Sequence, residues 1–165
     1  MTYSNSYRMT INFRLMLVVI LILLLFFEFL VRIEDGEKNL ERVSIQQTRQ
    51  IIDSAAAVLV AGLVSSGNLQ NLNRLDRANP FALMQRININ ASNYLGEFET
   101  RNELPEEEFG WFYIRAERKV LYRAKFEENS SSYSLNLDYD DRNQSGIFEQ
   151  EVDAFYRLSF EQLPQ

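Results

Sequence analysis

The sequence predicts an α+β protein: one long N-terminal helix, membrane-spanning at first and amphipathic beyond, packed on a small C-terminal antiparallel sheet. Three observations carry that prediction. An unbroken apolar run fills residues 15–31. Helical periodicity then persists over residues 37–64, with nothing to break it before Ser65-Ser66-Gly67. From Gly110 onward the composition turns aromatic and β-branched, in stretches of strand length. Helices and strands segregated along a chain, rather than alternating, define the α+β class.

The apolar run reads LMLVVILILLLFFEFLV. At ~1.5 Å rise per residue it covers most of a bilayer core of ~30 Å. Backbone polar groups in lipid must be satisfied within the segment, which dictates a helix. Arg8 and Arg14 precede the run with no acid beside them. The positive-inside rule therefore leaves the N-terminal segment cytoplasmic and places the rest outside, in the periplasm of a two-membrane bacterium. The stretch resembles a secretory signal peptide, yet Phe29-Leu30-Val31-Arg32-Ile33 offers no small-x-small cleavage site, which points to an uncleaved anchor. The expected organisation is a cytoplasmic segment 1–14, a transmembrane helix 15–31, an amphipathic continuation 32–67 and a periplasmic α+β domain 68–165.

In the continuation, Leu40, Val43, Ile51, Ala55, Val58, Leu59 and Leu63 recur mostly at three- and four-residue steps, with Glu41, Arg42, Gln46, Gln47, Arg49, Gln50 and Asp53 between them. This is one apolar and one polar face, and the apolar face needs a sheet to cover it. Residues 68–79 (NLQNLNRLDRAN) are amide-rich and close on the turn signal Asn79-Pro80. A short helix over 81–86 follows the proline. Residues 87–108 read as loop, punctuated by Asn93-Tyr94-Leu95-Gly96 and Leu104-Pro105. The expected strands are 111–115, 120–126, 132–139 and 155–160, the first two forming a hairpin. On paired strands, Trp111, Phe112, Tyr113, Tyr122 and Phe126 read as cross-strand core contacts rather than an exposed stacking platform.

The chain is acidic, with a formal charge of −6. All basic residues but Arg8 and Arg14, and all acidic ones but Glu28, lie beyond the span, so the outer part is more acidic still. That disfavours nucleic acid and anionic headgroups as partners. There is no cysteine and no histidine. Disulfides, thiolate and imidazole metal sites, a cysteine nucleophile and a Ser-His-Asp triad all drop out together. A cysteine-free outer domain also points to bacteria. With no glycine-rich phosphate loop and no placed carboxylate pair, the reading is a non-enzymatic protein with no cofactor.

Two candidate sites remain. Glu28 is the one charge within the apolar run, close to its outer end. It either snorkels to the interface or pairs with a basic residue of a neighbouring subunit. The stretch from Asp141 to Glu149 matches the opening of a calcium loop, with Asp141, Asn143 and Ser145 at positions one, three and five, Gly146 at six and Glu149 at nine. Position twelve, which supplies the bidentate carboxylate, is Val152 between Glu151 and Asp153. A polar turn between the third and fourth strands is the favoured reading, and no metal is expected.

Four short motifs stand out: Asn79-Pro80-Phe81, Asn93-Tyr94-Leu95-Gly96-Glu97, Gly110-Trp111-Phe112-Tyr113 and Val120-Leu121-Tyr122-Arg123. With a membrane helix that continues into an amphipathic one, this assembly resembles pilin-like proteins. More narrowly, it resembles the biogenesis protein F family of the mannose-sensitive haemagglutinin (MSHA) type IV pilus. The resemblance covers residues 11–126. It implies a pilin-like fold at the bacterial inner membrane, in a homo- or hetero-oligomer with pilins or other pilus-assembly proteins. Its implied role is pilus biogenesis, through helix packing in the membrane and docking of the periplasmic domain. The chain departs from prepilins in one respect. Aligning Phe13 as the phenylalanine after the prepilin cut puts Asn12 where glycine is required and Leu17 where the glutamate stands. An unprocessed accessory component fits better than a polymerising subunit. The alternative is a membrane-anchored periplasmic sensory or ligand-binding module working through a partner protein.

Overall fold

The computed structural model describes residues 3–126 and 130–164, with side chains from Phe13 onward. The side chains of Arg8 and Asn12, on which part of the orientation and processing expectations rest, lie outside that description. The chain divides into two units, Met1–Val43 and Ser44–Gln165.

Helix α1 runs Tyr3–Ser65. Over residues 13–37 every side chain is exposed. So continuous an apolar surface suits lipid rather than water. Among the described residues this is the one helix long and apolar enough to cross a membrane, as a single-pass membrane protein requires.

In the second unit α1 is half-buried. Ile52, Ala55 and Ala56 are buried, with Ile45, Leu59, Val60 and Leu63 packed beside them. Of the stripe the periodicity suggested, Ala55, Leu59 and Leu63 pack in the core, whereas Ile51 and Val58 are exposed and Ile52 and Ala56 take their place. The helix stops at Gly67, whose φ of +67° suits the left-handed position that glycine fills. The Asn68 N–H then bonds the Leu63 carbonyl at 2.9 Å, satisfying an end carbonyl.

A 3₁₀ turn, Leu69–Arg74, and helix α2, Pro80–Arg86, follow. Five strands come next: β1 Tyr94–Phe98, β2 Gly110–Ile114, β3 Lys119–Arg123, β4 Ser131–Asp140 and β5 Ala154–Gln162. They form one sheet in the order β1-β2-β3-β4-β5. The sheet is mixed, which corrects the antiparallel expectation: β1 runs parallel to β2, and the other pairs are antiparallel. A parallel neighbour needs a crossover, and residues 99–109 provide it through the 3₁₀ turn Arg101–Glu103. The segment read as loop therefore holds an edge strand. Its local signal is weak because Gly96, at φ +126°, interrupts the alternation. Pairing with β2 fixes it instead.

Alternation along β2 and β3 builds two cores. Trp111, Tyr113, Val120 and Tyr122 face the helices, where Tyr133, Leu135, Phe148 and Phe160 join them. Phe112, Ile114 and Leu121 face the other way, under Leu104 of the crossover and Phe98 at the end of β1. Trp111 and Phe112 are fully buried, and each such side chain contributes roughly 1.5–3 kcal/mol by leaving water. Beyond Tyr133, strand β4 loses β3 as a neighbour. The chain at Asp76 and Arg77 takes over that edge. Arg77 N–H donates to the Leu135 carbonyl at 2.7 Å, and Leu137 N–H donates to Asp76 Oδ1 at 3.1 Å. On β5, Asp53 of α1 accepts the Phe160 N–H at 2.9 Å.

Candidate functional site

The four motifs meet at one node. Asn79 caps α2: its Oδ1 accepts the N–H groups of Phe81 at 3.0 Å and Ala82 at 3.4 Å. Its Nδ2 donates to the Tyr94 hydroxyl at 2.8 Å and to Glu97 Oε2 at 3.2 Å, tying α2 to β1. Phe81 stacks on Tyr94 with centroids 4.2 Å apart. Trp111 lies 6.0 Å from Phe81, 4.6 Å from Tyr122 and 5.1 Å from Tyr133. Gly110 opens β2 at φ +149°, and a Cβ there would sit 2.6 Å from the Asn93 carbonyl oxygen. Only glycine lets the two strands begin this close.

The chemistry of the node is quiet. Burial raises the pKa of Tyr94 and Tyr113, which keeps both phenols protonated. The Tyr113 hydroxyl donates to the Arg77 carbonyl at 2.9 Å. Arg115 Nε donates to Glu97 Oε1 at 2.5 Å, and that bond raises the arginine's pKa, holding its charge more firmly. Among the described residues the Trp111 indole N–H has no hydrogen-bond partner and sits among aromatic rings. Neutral rings and satisfied amides set a fold; they do not move protons. The motifs that carry the resemblance are packing devices.

The loop 141–153 is held by its own carboxylates. Asp141 accepts the Ser145 N–H at 3.0 Å and the Gly146 N–H at 2.8 Å. Asn143 Oδ1 also takes the Ser145 N–H, at 3.1 Å, and Ser145 Oγ donates to the Ile147 carbonyl at 2.8 Å. Asp153 accepts from Arg142 N–H at 3.1 Å and Glu149 N–H at 2.8 Å. Glu149 lines a separate concavity with Glu151, Gln70 and Ile147. The candidate ligands are thus divided between two places. Among the described residues no three Asp, Glu, His or Cys side chains are grouped to hold a metal.

Glu28 pairs within its own helix, accepting from Arg32 Nη2 at 3.1 Å with both side chains exposed. Acid before base at this spacing is the favourable order on a helix. A cleft of about 610 Å³ lies between the β2–β3 turn and β4, lined by Asp76, Arg77, Glu117, Lys119, Ser134 and Asn136 among others. Asp76 is occupied with Leu137, and Glu117 accepts a two-pronged bond from Arg101 at 2.6 and 2.8 Å. That bond lowers the Glu117 pKa and raises that of Arg101.

No protein-family model, curated protein or solved structure matches the chain. Sequence reasoning missed the residues that organise this domain: Asp53, Asn73, Asp76 and Asp153. For Asn73 and Asp76 the signal was present only as composition, in the amide-rich stretch 68–79, whereas Asp53 and Asp153 stood in the polar helix face and the acidic loop with no role assigned. Each acts on a backbone group far along the chain or across a loop, which no local pattern reveals.

Proposed function

We propose that this protein is a non-enzymatic inner-membrane component of MSHA-like type IV pilus biogenesis, with its N-terminus cytoplasmic and its α+β domain periplasmic. One observation carries the reading: a single helix is apolar and wholly uncovered over 15–31, yet carries part of the core of a small α+β domain from Ile45 onward. A helix shared between lipid and domain is the design of a pilin-like protein, and the uncovered run invites lateral packing against other membrane helices. The motif resemblance supplies the pilus context. Deletion is expected to reduce surface piliation and attachment. Replacing residues 15–31 with an unrelated anchor should impair function while the protein stays in the membrane. Normal piliation in the deletion strain rejects the pilus assignment, and full activity of the chimera rejects lateral packing.

The cleft beside β4 favours a second reading, a periplasmic sensory or ligand-binding module that signals through a partner. Its volume lies within the range of small-molecule sites, ~300–1,000 Å³. Substitution of Lys119 and Asn136 separates the two readings, because it alters ligand response but leaves piliation intact only if the cleft is the functional site.

A further inference from the structure

Strands β3 and β4 pair only where Val120–Tyr122 meets Ser131–Tyr133, and past Val120 and Tyr133 they part. The fork between them is the cleft beside β4. Its walls carry Lys119 at the start of β3, Ser134 and Asn136 of β4, and Arg77 of the segment that closes the β4 edge. The backbone there is already served, since Arg77 N–H and Asp76 take the Leu135 carbonyl and the Leu137 N–H. The side chains are not. Among the described residues the Ser134 hydroxyl has no hydrogen-bond partner, although Ser134 is only 4% exposed. The side chains of Arg77, Lys119 and Asn136 likewise have neither a hydrogen bond nor an ion pair there. A buried polar group without a partner is costly, and four such groups on one cleft point to a ligand.

Their spare capacity is one-sided. Guanidinium and ammonium groups only donate, and Ser134 and Asn136 can donate as well. The acids on the walls are engaged: Asp76 Oδ1 accepts the Leu137 N–H, and both Glu117 oxygens accept from Arg101. Charge agrees with the donor count. Glu117 is matched by Arg101, which leaves Arg77 and Lys119 against Asp76. Arg118 adds a further positive charge, donating from Nη2 to the Asp76 carbonyl at 2.7 Å. In a chain that bears −6 overall, this is a place that admits an anion rather than repelling it.

We infer that the fork binds a small organic carboxylate, with Arg77 and Lys119 on its oxygens and Ser134 and Asn136 completing the hydrogen bonds. Arginine suits a carboxylate because its planar fork of donors matches the two oxygens. Leu137, Leu163 and Pro164 also line the cleft. They give a bare inorganic oxyanion nothing to bury, whereas the apolar body of an organic acid leaves water against them. The inference rests on the second reading above, that the cleft is a ligand site, and adds the class of ligand.

Calorimetric titration of the full-length protein in detergent tests it with three probes: isovalerate, its uncharged amide isovaleramide, and inorganic phosphate. Isovalerate should bind at one site, ~10-fold or more tighter than either of the others. Arg77→Met and Lys119→Met should each weaken it by a similar factor. Arg86→Met, which removes an exposed cation at the end of α2, should not. Tryptophan emission matching the parent shows that each variant is folded, and the comparison of probes needs no variant at all. Isovaleramide binding as tightly as isovalerate overturns the anion assignment and leaves the cleft standing as a ligand site. Phosphate binding as tightly overturns the organic class. Isovalerate binding that ignores both cleft substitutions lies elsewhere and also overturns the inference. Binding of none of the three probes removes the cleft reading together with it.

Discussion

Asn73 brackets the backbone of Phe148: its Oδ1 accepts the Phe148 N–H at 3.0 Å, and its Nδ2 donates to the Phe148 carbonyl at 2.7 Å. The amide imitates a strand neighbour for a residue that has none. Gln70 and Gln150 repeat the device, each side-chain carbonyl accepting the other's N–H, at 3.3 and 3.4 Å. The outcome is a clasp that holds Phe148, 1% exposed, between Tyr139 and Phe155.

Removing the clasp should loosen the loop it secures. Asn73→Ala leaves two backbone groups without partners and is expected to cost ~2 kcal/mol. Asn73→Asp keeps the acceptor but loses the donor, and should fall between the two. Urea unfolding of the full chain in detergent, followed by the emission of buried Trp111, measures both. An alanine variant as stable as the parent would show that the clasp adds nothing.

Much of the fold is legible in the sequence because its signals are local. The apolar run, the proline opening α2 and the aromatic alternation of β2 and β3 are each patterns among neighbouring residues. Strand β1 escapes such reading, since Gly96 breaks its pattern and only pairing with β2 makes it a strand. The stripe on α1 was placed correctly at Ala55, Leu59 and Leu63 but not at Ile51, for a related reason. Which of two adjacent apolar residues turns inward, Ile51 or Ile52, is settled by the sheet that packs there, not by the period. Loop 141–153 looks like a cation loop because both need acids and amides at close spacing. Here those oxygens bind backbone N–H groups.

Gly110 tests the strand junction. Its φ of +149° and the 2.6 Å approach of the Asn93 oxygen leave no room for a side chain. Gly110→Ala should destabilise the domain by ~1–3 kcal/mol through backbone strain, with the clash adding to it. Gly62→Ala, at an open helical position, should leave stability unchanged or raise it by up to ~1 kcal/mol. Similar midpoints for the two variants would contradict the packing at β2.

The Arg101–Glu117 pair sets a pH dependence. Hydrogen bonding from Arg101, opposed in part by burial, lowers the Glu117 pKa in the folded state. A lowered folded value means that the stabilisation is present above the ordinary carboxylate range and is lost as pH falls through the folded value. The side chains are 49% and 32% exposed, so screening keeps the pair within ~0–1 kcal/mol. Glu117→Gln should therefore cost little at neutral pH and flatten the loss of stability below pH ~4. An unchanged acid slope in the variant would remove the pair from the account.

Orientation rests on charge flanking the apolar run. Arg14 stands before it with no acid beside it, while on its far side Arg32 and Lys38 are each paired with an acid, Glu28 and Glu34. Protease added to spheroplasts is expected to digest the α+β domain and leave only a short membrane-protected fragment. A protected domain would place it in the cytoplasm.

Calcium gives the last test, on the loop 141–153. Asp141 and Asp153 each already bind two backbone N–H groups, at 2.8 to 3.1 Å. A cation must displace those bonds before it gains any oxygen, and Glu149 is turned to a different concavity. Binding tighter than the weak extracellular range, ~10⁻⁴ to 10⁻³ M, is therefore not expected in titration calorimetry. The same geometry makes the acids structural. Asp141→Ala and Asp153→Ala should each destabilise the domain by ~1–3 kcal/mol, to the same extent with calcium or with chelator. A micromolar dissociation constant abolished by Glu149→Gln would instead mean that the loop rearranges around the ion, with its amide bonds serving only as the resting state.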